Sequence, residues 1–458
     1  MATLLPTAPI FKAYDVRGLS PSQIDAPLTR AIGNAFAQFL EGAPIVVGRD
    51  MRETSGPLSE AFIEGARDAG SDVISIGLAS TDMLYFASGR LNRAGAMFTA
   101  SHNPAQYNGI KFCHKAAAPI GADTGLRAIQ EAVDAGRYIN AAQRGALESA
   151  DMLDAFADHV CSFIDIANMR PLKVVADTAN GMGGLVVPAV FERLPCELDM
   201  LYPELDGTFP HHPADPIQPE NLVDLQARVR ELGADVGLAF DGDADRVFLV
   251  DDQAQPVSGS LTTAIVADRL LSGTVGETVV HNLICSKVVP EVIASHDATP
   301  VRTRVGHSYI KQVMADTGAL FGGEHSGHYY FRDNFRADSG LIAAVVILAA
   351  LSETDRPLSE LRQPFERYVA SGEINTTVPD PRAVIDVVAS RMGSGQWAAA
   401  VTDTLDGLTV DMGDWWFNLR PSNTEPLLRL NLEASSAELL EEKTAQVQAL
   451  IDDISAAR

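Results

Sequence analysis

The chain has 458 residues, 46% hydrophobic and 21% charged, with 60 acidic against 35 basic side chains and a formal net charge of −25. That balance argues against nucleic acid and against anionic membrane surfaces as partners, since both need a basic face. A phosphorylated small substrate stays open, because charges beyond about 8 Å are largely screened at physiological salt and a local Arg/Lys cluster can decide the matter.

A chain of this length is expected to form several domains. Cys113, Cys161, Cys196 and Cys285 are widely spaced with no Cys-x-x-Cys pair, as expected of reduced thiols in a cytoplasmic protein. Met1 to Ile10 lacks the basic and long apolar regions of a signal peptide. The longest apolar run, Leu341 to Leu351, falls short of the ~20 residues of a membrane span and reads as a buried helix.

In chain order, Tyr14-Asp15-Val16-Arg17-Gly18 comes first, followed by a helical pattern through Leu28, Ile32, Phe36 and Phe39. A short strand at Ile45 to Val47 leads into Gly48-Arg49-Asp50, and a helix covers Leu58 to Asp68. Arg17 and Arg49 sit where elements end, as surface ion pairs or as forks for phosphate oxygens. A loose repeat follows, in which a helix closed by glycine precedes a strand and a polar loop. The first copy has Gly70, the strand Asp72 to Ile76 and the loop Gly77 to Leu84. The second has the helix Asn221 to Leu232, Gly233 and the strand Asp235 to Phe240. The third has the helix Tyr309 to Thr317, Gly318 and the strand Ala319 to Phe321. Each glycine stands where a helix end wants a left-handed residue. A long amphipathic helix, Asp151 to Ala167, opens the second unit, and a linker near Gln363 to Gly372 leaves the third. Strand-like alternation at Gly407 to Met412, Trp415 to Leu419 and Leu428 to Leu432, with a helix from Ala437 to Ile451, predicts a small α+β unit at the end. The expected divisions are 1–148, 149–250, 251–366 and 367–458.

Four loops carry candidate chemistry. An apolar strand from Ala94 stops at Thr99-Ala100-Ser101-His102-Asn103-Pro104, where Ser101 is either a turn partner or a chemical group. In Asp241-Gly242-Asp243-Ala244-Asp245-Arg246, carboxylates two apart can converge on one hard cation; a solvated acidic turn is the plain alternative. An EF-hand fails, since Arg246 and Asp252 stand where its loop needs Gly and Glu. Serine and carboxylates together suggest a phosphoserine facing a divalent cation. Three Asp carry about −3 and the phosphoserine about −2, against about +2 from the ion, so Arg246 and Lys111 would offset part of the excess. Gly323-Glu324-His325-Ser326-Gly327-His328 is no hydrolase elbow, having no Gly two before Ser326, but a Glu beside a Ser suits a vicinal diol. Arg420, Ser422, Asn423 and Thr424 form either an anion clamp or a Pro-bounded hairpin. His307, at a Gly turn opening a helix, is either structural or a proton or sugar contact. His102 is a candidate acid/base by adjacency alone, and His211 and His212 read as an extended surface loop.

Taken together, Tyr14 to Gly18, Thr99 to Pro104, Asp241 to Arg246, Gly323 to His328 and Arg420 to Pro426, in that order, closely resemble the α-D-phosphohexomutases, above all their phosphomannomutase/phosphoglucomutase branch. The resemblance covers nearly the whole chain. It implies an α/β protein with three similar mixed α/β domains plus a smaller C-terminal α+β domain around a central cleft. By that resemblance Ser101 is the phosphoserine, and Asp241, Asp243 and Asp245 hold Mg²⁺ with its phosphate. Lys111, Arg246 and His102 would serve proton movement and charge balance. Glu324 and Ser326, in a loop with His325 and Gly327, would grip the sugar 3- and 4-hydroxyls. Arg420, Ser422, Asn423 and Thr424 would take the phosphate that is not reacting, and Tyr14, Arg17, Lys287 and His307 are further substrate contacts. The implied reaction interconverts hexose 1-phosphate and hexose 6-phosphate through a hexose 1,6-bisphosphate that turns end for end. No nucleic-acid or membrane partner is expected, and the resemblance fits a cytoplasmic monomer or weak homodimer. Asp82 stands where the family would have Pro, and Ala337-Asp338-Ser339-Gly340 replaces a double Asp; these bear on sugar preference, not on the reaction. The alternatives are a phosphoglucosamine mutase and a Mg²⁺-dependent sugar phosphatase, which would release inorganic phosphate.

Overall fold

The computed structural model describes residues 4–421 and 427–456; Ser422, Asn423 and Thr424 of the expected clamp lie outside the described residues. Four sheets organise the chain. In the first, Val16–Leu19, Tyr107–Cys113, Ala94–Phe98, Ile45–Arg49, Val73–Leu78 and Leu147–Ser149 lie side by side in that order. Its first two pairings are antiparallel and the rest parallel. The helix Ala26–Phe39 covers this sheet with Leu28, Ile32 and Phe36 buried, the four-residue spacing of a single helical face. Asp25 caps it, accepting from the Leu28 N–H at 2.9 Å. It packs closely on the helix Ser55–Asp68 because Gly33 and Gly65 leave no side chain between them. A Cβ there would meet the Phe62 and Arg30 carbonyl oxygens at 2.1 and 1.9 Å.

The second sheet runs Pro256–Val257, Val247–Asp251, Val236–Phe240, Lys173–Asp177, Glu197–Leu201, and the third Thr299–Thr303, Thr278–Asn282, Phe321–Gly323, Tyr329–Phe331. The fourth, Val369–Thr377, Leu427–Ala434, Trp415–Pro421, Leu408–Asp411 and Val401–Asp403, is antiparallel throughout. One continuous apolar core joins the first three units, from Val46 and Phe86 through Phe156 and Val187 to Ile265 and Leu348. At its centre the helix Gly340–Ser352 buries every residue from Gly340 to Leu351, as a helix apolar all round must. The fourth unit has a separate core of Trp397, Trp415, Phe417, Leu430 and Val447. Polar contacts tie it to the third unit, among them the Lys287 N–H donating to Glu433 Oε1 at 2.9 Å. Among the described residues no helix is long and apolar enough to cross a membrane.

Several local expectations shift. The helix expected over 151–167 is Leu153–Cys161. It stops there because Asp165 opens a separate short turn, accepting from the Ala167 N–H at 3.2 Å and the Asn168 amide at 2.7 Å. The loop expected at 77–84 is strand to Leu78 and then the helix Thr81–Leu91, with Ser80 as its cap. The third repeat's strand is Phe321–Gly323, not Ala319 to Phe321. The linker expected at 363–372 already contains the start of the edge strand Val369–Thr377, whose apolar residues Val369, Ala370 and Ile374 do not alternate.

Candidate active site

Strand Ala94–Phe98 of the first sheet and strand Val236–Phe240 of the second point their C-terminal loops at one another. Ser101 adopts φ +51°, a left-handed backbone that non-glycine residues rarely take. Its hydroxyl donates to Asp241 Oδ2 at 2.8 Å and lies 3.2 Å from His102 Nδ1. The ligand oxygens of Asp241, Asp243 and Asp245 lie within 4.8 Å of one another, and all three residues are buried. Lys111 Nζ donates to Asp243 Oδ2 at 2.7 Å and to Asp245 Oδ2 at 2.6 Å. Arg246 Nε donates to Asp241 Oδ2 at 2.9 Å. Thr81, at the start of its helix, adds a hydroxyl donated to Asp243 Oδ2 at 2.6 Å.

Burial pushes Asp241 up to about 8, with Arg246 offsetting part of the effect. Burial acts on Asp243 too, but the Lys111 ammonium outweighs it and holds that carboxyl below the usual range. Three buried carboxylates thus share two cationic side chains. Asp243 Oδ1 and Asp245 Oδ1 are buried without a hydrogen-bond partner among the described residues. Unpaired carboxylate oxygens in a dry site are costly, and oxygens so placed suit a hard cation; the three Asp form a group that can hold a metal ion. Arg246 Nη2 is likewise buried and unpartnered, free to meet an anion. Loss of hydration, then Arg246 and Arg17, keep His102 well below the usual imidazole range.

The third unit brings a turn between strands Phe321–Gly323 and Tyr329–Phe331 to the same cleft. Glu324 Oε2 accepts from Tyr330 Oη at 2.7 Å, and Oε1 from Asn282 Nδ2 at 3.2 Å and the Gly306 N–H at 3.3 Å. Ser326 Oγ lies 3.0 Å from His328 Nδ1. Gly327, at φ +85°, has the Phe248 ring 2.5 Å from where a Cβ would sit. His325 turns elsewhere: its ring meets Ser260 Oγ at 3.0 Å and lines a cavity of about 460 Å³ between the third and fourth units. Ser260 belongs to the first turn of the helix Gly259–Leu271, which Ser258 caps.

Tyr14, Gly306, Arg304, Arg420 and Arg429 line a cavity of about 520 Å³ where the first, third and fourth units meet. The Tyr14 hydroxyl, pushed up to about 12 chiefly by burial, lies 3.5 Å from the Val305 carbonyl, and its ring meets His307 edge-on at 5.4 Å. Desolvation pulls His307 down to about 3, and its Nδ1 has no partner among the described residues. Arg17 donates to Asn103 Oδ1 at 2.5 Å, beside the serine turn. Arg420 Nη2 donates to Glu373 Oε2 at 2.6 Å. Lys287, expected at the substrate, donates to Asp411 Oδ1 and the Gly413 carbonyl, both at 2.7 Å. It ties the third unit to the fourth, and the acidic strand end facing it is the physical reason. His211 and His212 lie in an irregular loop with His211 exposed, where His211 stacks on Tyr202 at 3.9 Å and His212 pairs with Asp177 at 3.0 Å.

Three residues escape a reading of the sequence. His328 faces the acidic loop from the end of the Gly-rich turn, 3.5 Å from Glu324 Oε2 and 3.9 Å from Asp245 Oδ1; its only sequence signal is that place. Thr81 sits in a stretch taken for loop. Arg52 lies three residues past the Arg49 noted above, in no recognisable phosphate pattern.

A serine facing a buried carboxylate triad, ringed by arginines and a Gly-rich turn carrying a buried glutamate at the meeting point of four α/β units, is the layout of an enzyme that moves phosphoryl groups on a small substrate. Four family profiles match in order: phosphoglucomutase/phosphomannomutase alpha/beta/alpha domains I, II and III over residues 8–139, 154–255 and 258–368, and the C-terminal domain over 373–450. The phosphohexose mutases of Xanthomonas campestris pv. campestris are 39% identical over 448 residues, covering 97% of this chain and 99% of theirs. A phosphomannomutase of Escherichia coli K12 is 37% identical over 453 residues, with 97% and 99% covered. A crystal structure of a phosphoglucomutase/phosphomannomutase family protein from Burkholderia thailandensis superposes with a TM-score of 0.90 at 30% identity, covering 98% of each chain. The chain belongs to the phosphoglucomutase/phosphomannomutase family.

Proposed function

We propose that this protein is a phosphohexomutase, an intramolecular phosphotransferase that interconverts hexose 1-phosphate and hexose 6-phosphate, acting on mannose and glucose phosphates, with Ser101 as the phosphoryl carrier. The observation that carries the reading is the 2.8 Å hydrogen bond from Ser101 Oγ to Asp241 across two domains. The phosphoryl group leaves Ser101 Oγ for a hydroxyl of the bound hexose phosphate, giving a hexose 1,6-bisphosphate and a serine that regains a proton. The bisphosphate turns end for end, and Ser101 takes back the other phosphoryl group. Asp241, Asp243 and Asp245, with the phosphate on Ser101, are the residues to hold Mg²⁺, which supplies charge neutralisation at the transferring group.

Such transfer depends on positioning and charge stabilisation more than on covalent help. Lys111 and Arg246 supply fixed positive charge beside the acidic loop. Glu324 and Ser326 hydrogen-bond the sugar O3 and O4, which exchange places when the intermediate turns, so one pair serves both orientations. Arg420, with Ser422, Asn423 and Thr424, takes the phosphate that is not reacting, aided by Tyr14 and Arg17. His328, within reach of both loops, is the group we assign to proton transfer with the acceptor hydroxyl; His102 is too desolvated to hold a proton at neutral pH. The test is Ser101→Ala in a coupled assay with mannose, glucose and glucosamine 1-phosphates and trace hexose 1,6-bisphosphate. Turnover is expected to vanish while sugar-phosphate binding persists. Full activity in that variant, or phosphate release by the native enzyme in place of isomerisation, would overturn the reading.

A further inference from the structure

We infer that Arg52 is the positioning residue that holds Ser101 in its left-handed conformation for transfer. The inference rests on Ser101 being the phosphoryl carrier. A guanidinium has five N–H donors in a fixed fork, and all five are spent here. Nη2 donates to the carbonyls of Ser101 at 2.9 Å and Asn103 at 2.6 Å. Nη1 donates to the carbonyls of Pro104 at 2.9 Å and Tyr107 at 3.1 Å. Nε donates to Asp50 Oδ2 at 3.2 Å. Four carbonyls drawn from the turn that carries Ser101 and from its exit strand therefore converge on one buried cation, 2% exposed.

Asp50 is itself fixed, accepting from the Arg52 N–H at 3.0 Å and the Ser55 hydroxyl at 2.5 Å. The second domain closes over the far side. The Phe209 ring lies 5.0 Å from the guanidinium carbon, and a Cβ on Gly207 would come within 2.6 Å of Arg52 Cα. The Ser101 carbonyl is held between Arg52 and the acidic loop, since a Cβ on Gly242 would lie 2.4 Å from that oxygen. Ser101 at φ +51° persists only where its surroundings over-determine it, and Arg52 is the group that collects those surroundings. It touches the turn from behind and not the cleft, so it acts through Ser101. Lysine keeps the charge but has no planar fork and cannot satisfy four carbonyls and a carboxylate at once.

The test uses full-length enzyme carrying Arg52→Lys. Its dephosphorylated form is titrated calorimetrically with glucose 1-phosphate, and labelled glucose 1,6-bisphosphate is followed into Ser101 in a single turnover. In that step the sugar O–P bond breaks, the Ser101 Oγ–P bond forms, and the serine proton passes to the sugar oxygen's side. A reactive group displaced by about 1 Å loses roughly 100-fold in rate. The expected result is that loss in the transfer rate constant and in kcat, with KM and glucose 1-phosphate affinity within about twofold of native. An unchanged rate constant, or a loss confined to the labelled fraction, overturns the inference while leaving Ser101 as the carrier. Failure of native enzyme to label Ser101 overturns the underlying reading and the inference with it. Should Arg52→Lys not fold, Phe209→Leu, which uncovers the guanidinium but spares its five bonds, is expected to slow transfer about threefold; native transfer in that variant overturns the inference.

Discussion

Lys111→Met removes the ammonium that bridges Asp243 at 2.7 Å and Asp245 at 2.6 Å. Burial disfavours that charge, but the two carboxylates outweigh it, and Lys111 stays protonated well above the usual lysine range. Removing one partner of a buried ion pair costs about 3–5 kcal/mol, because the remaining charge is left uncompensated. Two carboxylates are left here, each with an oxygen already unpartnered among the described residues, so the upper part of that range is expected without metal. The vacated carboxylates should then take up protons, and their raised pKa makes the variant lose stability as pH climbs above the ordinary carboxylate range. A divalent cation no longer has an ammonium to compete with. At about a hundred times its Kd it adds roughly 2.7 kcal/mol, and the gain should be larger in the variant than in native protein. Differential scanning calorimetry in EDTA and in Mg²⁺, repeated at several pH values, reads all three effects. Equal melting of the two proteins in EDTA, or an equal Mg²⁺ shift in both, would refute the view that Lys111 is the counter-charge of the acidic loop.

Glu324→Gln exchanges a carboxylate that accepts from Tyr330, Asn282 and the Gly306 N–H for an amide that must turn a donor toward one of them. Hydrogen bonds to a charged group are worth about 1.5–3 kcal/mol, so kcat/KM should fall roughly 10- to 100-fold. Steady-state kinetics with native and 3- or 4-deoxy hexose phosphates would check this, a native-like kcat/KM counting against the role. Burial pushes the Asp82 carboxyl up to about 7 from an ordinary 3.8, with the Ser339 and Ser80 hydroxyls opposing. Between those two values the folded protein holds a proton that the unfolded chain has released, so stability falls as pH rises. Asp82→Asn should flatten the melting profile across that window; an unchanged slope would show that Asp82 ionises freely.

What could be read from the chain is what depends on neighbours in sequence. Ser101 ends an apolar strand, the three aspartates alternate within six residues, and Leu28, Ile32 and Phe36 keep helical spacing, so strand, helix and loop chemistry were legible there. Gly233 and Gly318 sit at left-handed helix ends, a purely local demand of the backbone. The edge strand Val369–Thr377 was not legible, because its exposed, polar residues are ordered by pairing with Leu427–Ala434 and not by their own pattern.

Side-chain direction across domains was never local. Lys287 could not announce that Asp411 would face it, nor His325 that Ser260 would. Thr81 and His328 meet Asp243 and Asp245 only when the first three units close on one shared core, and Arg52 finds its carbonyls only when the first unit folds its serine turn back onto Asp50. Asp82 and Ser339, two departures from the family pattern 257 positions apart, proved to be hydrogen-bonded to each other at 2.6 Å. Residue types and short-range spacing determined which loops hold chemical groups, since backbone geometry acts over a few residues. Which of those groups meet was decided by the tertiary structure, because burial, ion pairing and desolvation act between segments that the chain leaves far apart.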